Sequence, residues 1–401
     1  MVVWITPKWP LPATDGARMA TTQLLSELTR LGLKIHLCSI LPEGEVVDLN
    51  QAKAALGLHS ITLVRKKSVN LLGRFWDWLK RPWFPITLAP YATPEVREGV
   101  KTCVANQTPE MLVYDGLHSS VWRMSKEGST KIDQVYRAHN VESRIWFCAA
   151  KNTRNPIKKI MLLFQAFTVE RVERRLARES RYVFPVSFVD EKQFRRYEPT
   201  GTLQTLPIGV QTRSIENESQ PKRRRSILFV GKLDWPPNRD GLRWFLSRVW
   251  PAIATQASDL RLTVVGSGQA AWLERFRSLP GVKFAGSVED LAPYYQECIA
   301  SIVPVFYGSG TRVKAIESSL FGRACLSTAL GVEGLGLLPN ETYYRAETAN
   351  DWIQALVSLD VDHAIGMGER ARQYAATVFE PSRIAERFLQ TTGRVARREA
   401  R

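Results

Sequence analysis

Residues 308–317 have the composition of a site for a phosphorylated ligand. An apolar run predicted to be a strand ends at Phe306, a glycine-rich turn follows, and a helix is predicted next. Amides at a helix start bind anions, whereas Arg312 and Lys314 are cations where the helix dipole disfavours them. This conflict favours a ligand over a solvated helix start. Glu317 can accept two ribose hydroxyls. The predicted site comprises Gly308, Ser309, Gly310, Thr311, Arg312, Lys314 and Glu317.

Two further glycine loops follow predicted strands in the second half of the chain. Gly231 and Lys232 come directly after strand residues 227–230, and Lys232 is alternatively a surface lysine. Gly266 follows strand residues 260–265 and lets a nucleotide approach the backbone. The loops match neither G-x-G-x-x-G nor G-x-x-x-x-G-K-[ST], so the glycines alone do not identify a nucleotide fold.

The first half of the chain places polar residues at the corresponding positions. Gly16 lies between the first predicted strand and helix, and a structural role competes with a functional one for each histidine. The flanking polar residues favour function for His139 more than for His118. The sequence contains no G-x-S-x-G and no H-E-x-x-H motif, which argues against a serine hydrolase and a zinc protease. The candidates of this half are Asp15, Gly16, Arg18, Asp115, His118, His139, Asn140 and Glu142.

Alternating apolar runs and amphipathic stretches predict an α/β fold with parallel sheets to position these loops. The almost wholly polar residues 213–225 indicate a linker. We predict an N-terminal Rossmann-like domain over 1–212, a second over 226–375, and a C-terminal helix within 376–401 that packs on the first domain. Ligands bind beyond the carboxyl ends of parallel strands, so two such domains facing each other form a cleft lined by the glycine loops.

Composition narrows the class of protein. The 401 residues include 55 Lys and Arg against 39 Asp and Glu, a net charge of +16 that favours a phosphorylated partner. The patterns of nucleic-acid-binding motifs are absent from the sequence, so no nucleic acid partner is expected. No apolar run approaches the ~18–20 residues of a membrane span. Five scattered cysteines without C-x-x-C spacing and no recognisable secretion signal favour a reduced cytoplasm.

The sequence resembles retaining glycosyltransferases of family 4, which have the GT-B fold. The similarity covers nearly the whole chain and is most specific in five segments, namely 137–143, 229–242, 286–295, 303–317 and 327–335.

The resemblance implies roles for individual residues. Lys232, Arg312 and Lys314 would grip the donor diphosphate, Glu317 would hold the ribose, and His139 would lie near the transferred sugar. Gly16 would match the glycine loop of the first domain, and Gly266 and Val288 would lie near the base. Ser309 occupies the position of the first glutamate in the family's Glu-x7-Glu motif.

The function implied is transfer of a sugar, hexosyltransferase-like, from a nucleotide diphosphate sugar to a hydroxyl acceptor with retained configuration. The expected acceptor is a glycan or lipid-linked saccharide in cell-surface polysaccharide or glycoconjugate synthesis. No cofactor is expected, and no metal, because the sequence lacks an Asp-x-Asp motif. The alternatives are a GT-B sugar-nucleotide epimerase and a catalytically silent glycan- or nucleotide-binding protein.

Two basic, apolar stretches predict peripheral contact with an anionic membrane on its cytoplasmic face. Residues 66–84 combine Lys and Arg with Trp and Phe, and residues 158–181 form a basic helix with an apolar side. Bases next to aromatic side chains suit an anionic bilayer surface. The alternative is that these aromatic side chains pack in the domain core.

Overall fold

The computed structural model describes residues 1–13, 16–67, 83–122, 132–211, 225–269, 271–308 and 310–394. The chain divides into two compact units. The first comprises Met1–Gly209 and Pro381–Arg401, and the second comprises Val210–Glu380. Most of the predicted linker, Asp15, Ser309 and residues 68–82 of the first basic stretch lie outside the described residues.

A seven-stranded parallel sheet of order β3-β2-β1-β4-β5-β6-β7 forms the centre of the first unit. Strand β1 is apolar and almost fully buried, as expected where helices cover both faces of a parallel sheet. The strands are β1 (Val2–Thr6), β2 (Ile35–Pro42), β3 (Ser60–Lys66), β4 (Met111–Asp115), β5 (Asp133–Ala138), β6 (Tyr182–Pro185) and β7 (Thr202–Leu203).

Helices alternate with these strands, and the last helix of the chain returns to the first unit. They are α1 (Gly16–Arg30), α2 (Leu49–Leu56), α3 (Pro94–Gln107), α4 (Glu142–Lys151), α5 (Pro156–Glu179) and α6 (Phe188–Arg195). Short 3-10 turns lie at Ala89–Tyr91 and Leu117–Trp122. The returning helix spans Pro381–Thr391, and the ring of Phe388 lies 5.9 Å from Trp4 and 5.3 Å from Phe184.

The second unit has a six-stranded parallel sheet of order β10-β9-β8-β11-β12-β13. Its strands are β8 (Ser226–Val230), β9 (Arg261–Val265), β10 (Val282–Gly286), β11 (Ala300–Val303), β12 (Ala324–Ser327) and β13 (Tyr343–Arg345). Its helices are α7 (Pro236–Arg248), α8 (Trp250–Gln256), α9 (Ala292–Glu297), α10 (Val313–Leu320), α11 (Ala349–Val357) and α12 (Val361–Val378), which makes the Pro381–Thr391 helix α13. Further 3-10 turns lie at Ala271–Phe276 and Leu330–Val332.

Prolines explain where the elements differ from the sequence prediction. Strand β11 ends at Val303 rather than Phe306, because Pro304 has no amide to donate to the sheet. The helix expected over 240–250 begins earlier, at Pro236, and a second helix starts at Trp250 with Pro251 in its first turn. Strand β7 is shorter than the predicted residues 203–206.

No helix within the described part of the chain combines the length and the apolar character needed to cross a membrane.

Candidate active site

Three loops of the second unit meet at the carboxyl ends of β8, β9 and β10. The amide of Gly231 donates to the Val265 carbonyl at 3.0 Å, and the amide of Gly266 donates to the Gly286 carbonyl at 2.8 Å. A Cβ atom at Gly266 would lie 2.0 Å from the Gly231 carbonyl oxygen, so this approach requires glycine. Val288 follows β10 and packs against the apolar cluster beneath these loops.

Asn238 joins the first of these loops to the start of α10. Its Nδ2 donates to the Lys232 carbonyl at 3.0 Å, and its Oδ1 accepts from Lys314 Nζ at 2.6 Å. A Cβ atom at Gly231 would lie 2.9 Å from Lys314 Nζ, which shows how closely the two segments approach. Asn238 is not among the site residues predicted from the sequence. Its place in the first turn after a glycine loop and two prolines was the available signal.

The ammonium group of Lys314 lies in a poorly solvated place. Burial lowers the pKa of Lys314 to about 7, and the charge of nearby Arg312 lowers it as well. Its Nζ lies 4.8 Å from the centre of the Phe229 ring. Burial outweighs the opposing effect of the nearby Glu317 carboxyl group, and a bound anion would stabilise the charged form of Lys314.

The remaining predicted donor residues surround the start of α10. Gly308 and Gly310 both have positive φ angles, 111° and 89°, which glycine adopts without strain. The buried Thr311 Oγ1 has no hydrogen-bond partner among the described residues, so it is available to a ligand. Arg312 directly precedes α10 without a side-chain capping hydrogen bond, and its Nη1 donates to the Gly310 carbonyl.

Glu317 and Lys232 differ in their surroundings. Burial raises the pKa of Glu317 to about 7, against the opposing effect of Lys314, so the carboxyl group lies in a dry environment next to the cation. The side chain of Lys232 is 61% exposed, and its Nζ lies 3.7 Å from Asp234 Oδ1. The Lys232 backbone is therefore tied to the site through Asn238, while its side chain extends into solvent.

A pocket of about 150 Å³ lies at the carboxyl ends of β1, β4 and β5 in the first unit. Six of the residues predicted from this half line it, namely Arg18, Asp115, His118, His139, Asn140 and Glu142. Gly16 is the first residue of α1, and its neighbour Ala17 lines the pocket. The predicted residues converge because the carboxyl ends of neighbouring parallel strands meet at one edge of the sheet.

Asp115 is the centre of a buried hydrogen-bond network in this pocket. Its carboxylate accepts from Arg137 Nη1 at 2.9 Å, Thr21 Oγ1 at 2.6 Å and Trp4 Nε1 at 3.0 Å. Burial alone would raise the pKa of Asp115, but Arg137, His139 and these hydrogen bonds hold it well below its usual range. The group is therefore a permanent anion that orients its neighbours.

His139 is oriented by that anion. Its Nε2 lies 2.7 Å from Asp115 Oδ1, so the Nε2 proton is donated to the carboxylate. Its buried Nδ1 has no hydrogen-bond partner in the part of the chain that the structure describes. A histidine held in this way presents one nitrogen for a ligand while the other fixes the ring.

Burial shifts the pKa values of two other pocket residues in the direction that favours their neutral forms. Burial and the positive charges of Lys8 and Lys66 lower the pKa of His118 to about 4. Burial raises the pKa of Glu142, although a hydrogen bond from Asn140 and the charge of Lys8 oppose the shift. Within the described residues, no group of three or more His, Cys, Asp or Glu side chains is arranged to hold a metal ion. Metal independence remains a prediction.

Comparison with known families gives a match in the second unit. The sequence model of the family "Glycosyl transferases group 1" matches residues 224–360. These residues include all three glycine loops and the start of α10. One curated relative, an "Uncharacterized 44.6 kDa protein in cps region" of Klebsiella pneumoniae, is 27% identical over 119 residues. That match spans 28% of this chain and 31% of the relative.

Solved structures resemble the whole chain. Sucrose-phosphate synthase of Thermosynechococcus elongatus is 16% identical with a TM-score of 0.69, covering 98% of both chains. Anabaena Alr3699/HepE in complex with UDP and glucose is 11% identical with a TM-score of 0.66, covering 98% of this chain and 99% of that one. A TarM mutant of S. aureus with UDP is 8% identical with a TM-score of 0.68, covering 97% and 99%. The chain thus has the GT-B fold, and its second unit matches Glycosyl transferases group 1 over residues 224–360.

Proposed function

We propose that this protein is a glycosyltransferase that moves a sugar from a nucleotide diphosphate sugar to a hydroxyl acceptor. The observation that carries the proposal is the cationic site at the start of α10. There the half-buried Lys314 and the Thr311 Oγ1, which has no hydrogen-bond partner among the described residues, adjoin three glycine loops. HepE, which has the same fold, is described in complex with UDP and with UDP-glucose. This supports a nucleotide sugar as the donor.

The chemistry needs a stabilised diphosphate leaving group. As the bond between the sugar and the diphosphate breaks, negative charge grows on the phosphate oxygens. Arg312, Lys314 and the amides at the start of α10 are already in place, so they stabilise that charge without reorganisation. In this proposal Lys232 adds a cation from the opposite loop, and Glu317 binds the ribose hydroxyls.

The first unit provides the acceptor side of the reaction. His139, oriented by Asp115, borders the transferred sugar, while Asn140 and Glu142 contact the acceptor hydroxyl. We also propose that the enzyme belongs to family 4 and retains the configuration of the sugar, because its motifs resemble those of that family. Ser309 stands at the position of the first motif glutamate, so the sugar contact made by that glutamate elsewhere requires another group here.

We assign the acceptor to the glycans and lipid-linked saccharides of cell-surface polysaccharide synthesis. The similar protein from Klebsiella is described as lying in a cps region, which supports this class. An acceptor of this kind places the protein in the cytoplasm next to the membrane.

An exposed apolar surface on α5 supports that location. Ile157, Ile160, Met161 and Phe167 are each between 59% and 71% exposed, and Lys158 and Lys159 lie among them. Trp83, itself 68% exposed, packs on Phe164 of the same helix at 5.5 Å. The exposure of these side chains favours the membrane interpretation over packing in the domain core. Apolar groups flanked by lysines suit the surface of an anionic bilayer.

Vesicle sedimentation tests this location. The protein should bind phosphatidylglycerol vesicles, release them at high salt and ignore neutral vesicles, because ion screening weakens the lysine contacts. The double variant Ile160→Ser/Met161→Ser should lose binding. The matched control Leu338→Ser, which removes an exposed apolar side chain of the second unit, should not. Equal binding by both variants would rule out this surface of α5.

A donor screen followed by product analysis tests the activity. Thermal unfolding is measured with a panel of nucleotide sugars, since a ligand at ~100 times its Kd adds ~2.7 kcal/mol of stability. The stabilising donor is then incubated with and without saccharide acceptors. Transfer only with acceptor supports the proposal, and a changed sugar nucleotide without acceptor indicates an epimerase. Binding without turnover across acceptors indicates a silent binding protein.

A further inference from the structure

A glutamate of α5 lies fully buried behind the pocket of the first unit. Glu173 is 0% exposed, and the carboxyl group has three donors. Its Oε1 accepts from the backbone amide of Glu142 at 2.8 Å. Its Oε2 accepts from Ser143 Oγ at 2.8 Å and from the Tyr197 hydroxyl at 3.2 Å. These contacts link α5 and the segment after α6 to the start of α4.

The contact with the Glu142 amide replaces a missing helix cap. The residue before α4 is Val141, which has no side-chain oxygen to accept from the first amides of the helix. An uncapped helix start leaves donors without partners, and side chains from elsewhere can satisfy them. Glu173 does so from a position 31 residues later in the chain.

The hydrogen bond from the Glu142 amide to Glu173 fixes the position of residues that line the pocket. His139, Asn140 and Glu142 precede or begin α4, and all three line the pocket. A shift of the helix start would move these side chains together. The Ser143 hydroxyl also lies 3.1 Å from the Tyr197 hydroxyl. The side chains of Glu173, Ser143 and Tyr197 are therefore all within hydrogen-bonding distance of one another behind the residues that line the pocket.

Packing alone does not account for a carboxyl group at this place. Burying it is costly, and the described residues give it three neutral donors and no ion pair. Burial raises its pKa to about 8, although the hydrogen bonds from Ser143, the Glu142 amide and Tyr197 oppose the shift. A leucine would fill similar space at lower cost but would leave the Glu142 amide without an acceptor.

We propose that Glu173 is a positioning residue of the acceptor site, which fixes His139, Asn140 and Glu142 through the start of α4 without touching the substrate. The inference rests on the proposed function, since it presumes that these three residues meet the sugar and its acceptor. Misplacement of reacting groups by about 1 Å can cost ~10²-fold in rate.

Three variants test the proposal on the full-length protein. Glu173→Leu should raise the KM for the acceptor or lower kcat by ~10-fold to 10²-fold. Its KM for the donor and its affinity for the nucleoside diphosphate should stay within twofold to threefold of wild type. Glu173→Gln keeps an acceptor for the Glu142 amide and should restore most of the activity. The double variant Ser143→Ala/Tyr197→Phe nearly keeps the core volume and should show a smaller change in the acceptor KM or in kcat. This variant tests the proposal if Glu173→Leu does not fold.

Hydrogen–deuterium exchange provides a readout that needs no activity. Exchange in a peptide covering 139–147 should accelerate in Glu173→Leu and not in Glu173→Gln. Equal exchange in both variants, or an equal loss of donor and acceptor parameters, would overturn the positioning role. Faster exchange in Glu173→Leu with no sugar transfer by wild type would leave the cap in place and refute the proposed function instead.

Discussion

The two candidate sites differ in the polar groups they contain and in the parts of the chain that supply them. In the second unit the groups are cations, amides and glycine backbone, with Asn238 joining the loops. In the first unit they are carboxyl groups: Asp115 is a buried anion that accepts from Arg137, whereas burial raises the pKa values of Glu142 and Glu173. A diphosphate brings its own negative charge and needs cations close to its backbone, whereas neutral hydroxyls need acceptors and fixed geometry. The difference supports a donor in one unit and an acceptor in the other.

Removal of the cations should break the second site with the largest effect. Arg312→Ala and Lys314→Ala should each lower turnover by roughly 10²–10³, because they stabilise charge that grows in the transition state. Lys232→Ala should also be severe, and the loss in Lys232→Ala/Arg312→Ala should be less than additive, since residues that act as a unit fail together. Steady-state kinetics and calorimetric binding of the nucleoside diphosphate measure both effects.

Lys283→Ala is the control, because it removes an exposed lysine from the same unit. Near-normal transfer and product binding in Lys232→Ala would make Lys232 a surface lysine, as its 61% exposure allows. Near-normal activity in Lys314→Ala would remove the basis of the proposed donor site.

Removal of His139 should break the first site without harming the second. His139→Ala should lower turnover, by less than the loss in Arg312→Ala, and leave donor affinity nearly unchanged, since the ring borders the sugar and not the diphosphate. His363→Ala is the control, because it removes a histidine of the second unit that bonds to Tyr344. If donor affinity and turnover fall together in His139→Ala, the two sites are not separate in function.

The pH dependence of product binding should sharpen the contrast. With a pKa of about 7, Lys314 in the free protein loses its proton as pH rises through neutrality. A diphosphate binds the charged form, so affinity is highest below pH 7 and falls by at most about tenfold per pH unit above it. Calorimetry between pH 6 and pH 9 measures this. Lys314→Arg, which stays charged, should give a flatter profile, and identical profiles would show that Lys314 does not titrate with binding.

Chelation should have the smallest effect of all. The proposed stabilisation of the diphosphate comes from Arg312, Lys314 and amides, so transfer should survive EDTA. A full loss that magnesium reverses would show that the second site needs a cation from solution.

The sequence predicted the positions of helices and strands better than the side-chain contacts between them. Apolar runs ending in glycine or polar residues predicted most strands, and the pocket residues converge because parallel strands share an edge. Strand β13 was not predicted, since Tyr343–Arg345 is too short for a periodic signal. The role of Glu173 could not be predicted either, because a glutamate among arginines on α5 looks like a solvated helix face.

The return of α13 to the first unit means that the second unit interrupts the first unit's sequence, between Gly209 and Pro381. During synthesis, Trp4 and Phe184 leave the ribosome long before Phe388 covers them. The first unit therefore begins before the second unit but is completed after it. Its core remains uncovered by α13 at a stage when the whole sequence of the second unit is available to fold. A nascent chain cut before Pro381 should thus leave its N-terminal half, and not the half next to the cut, exposed to chaperones and proteases.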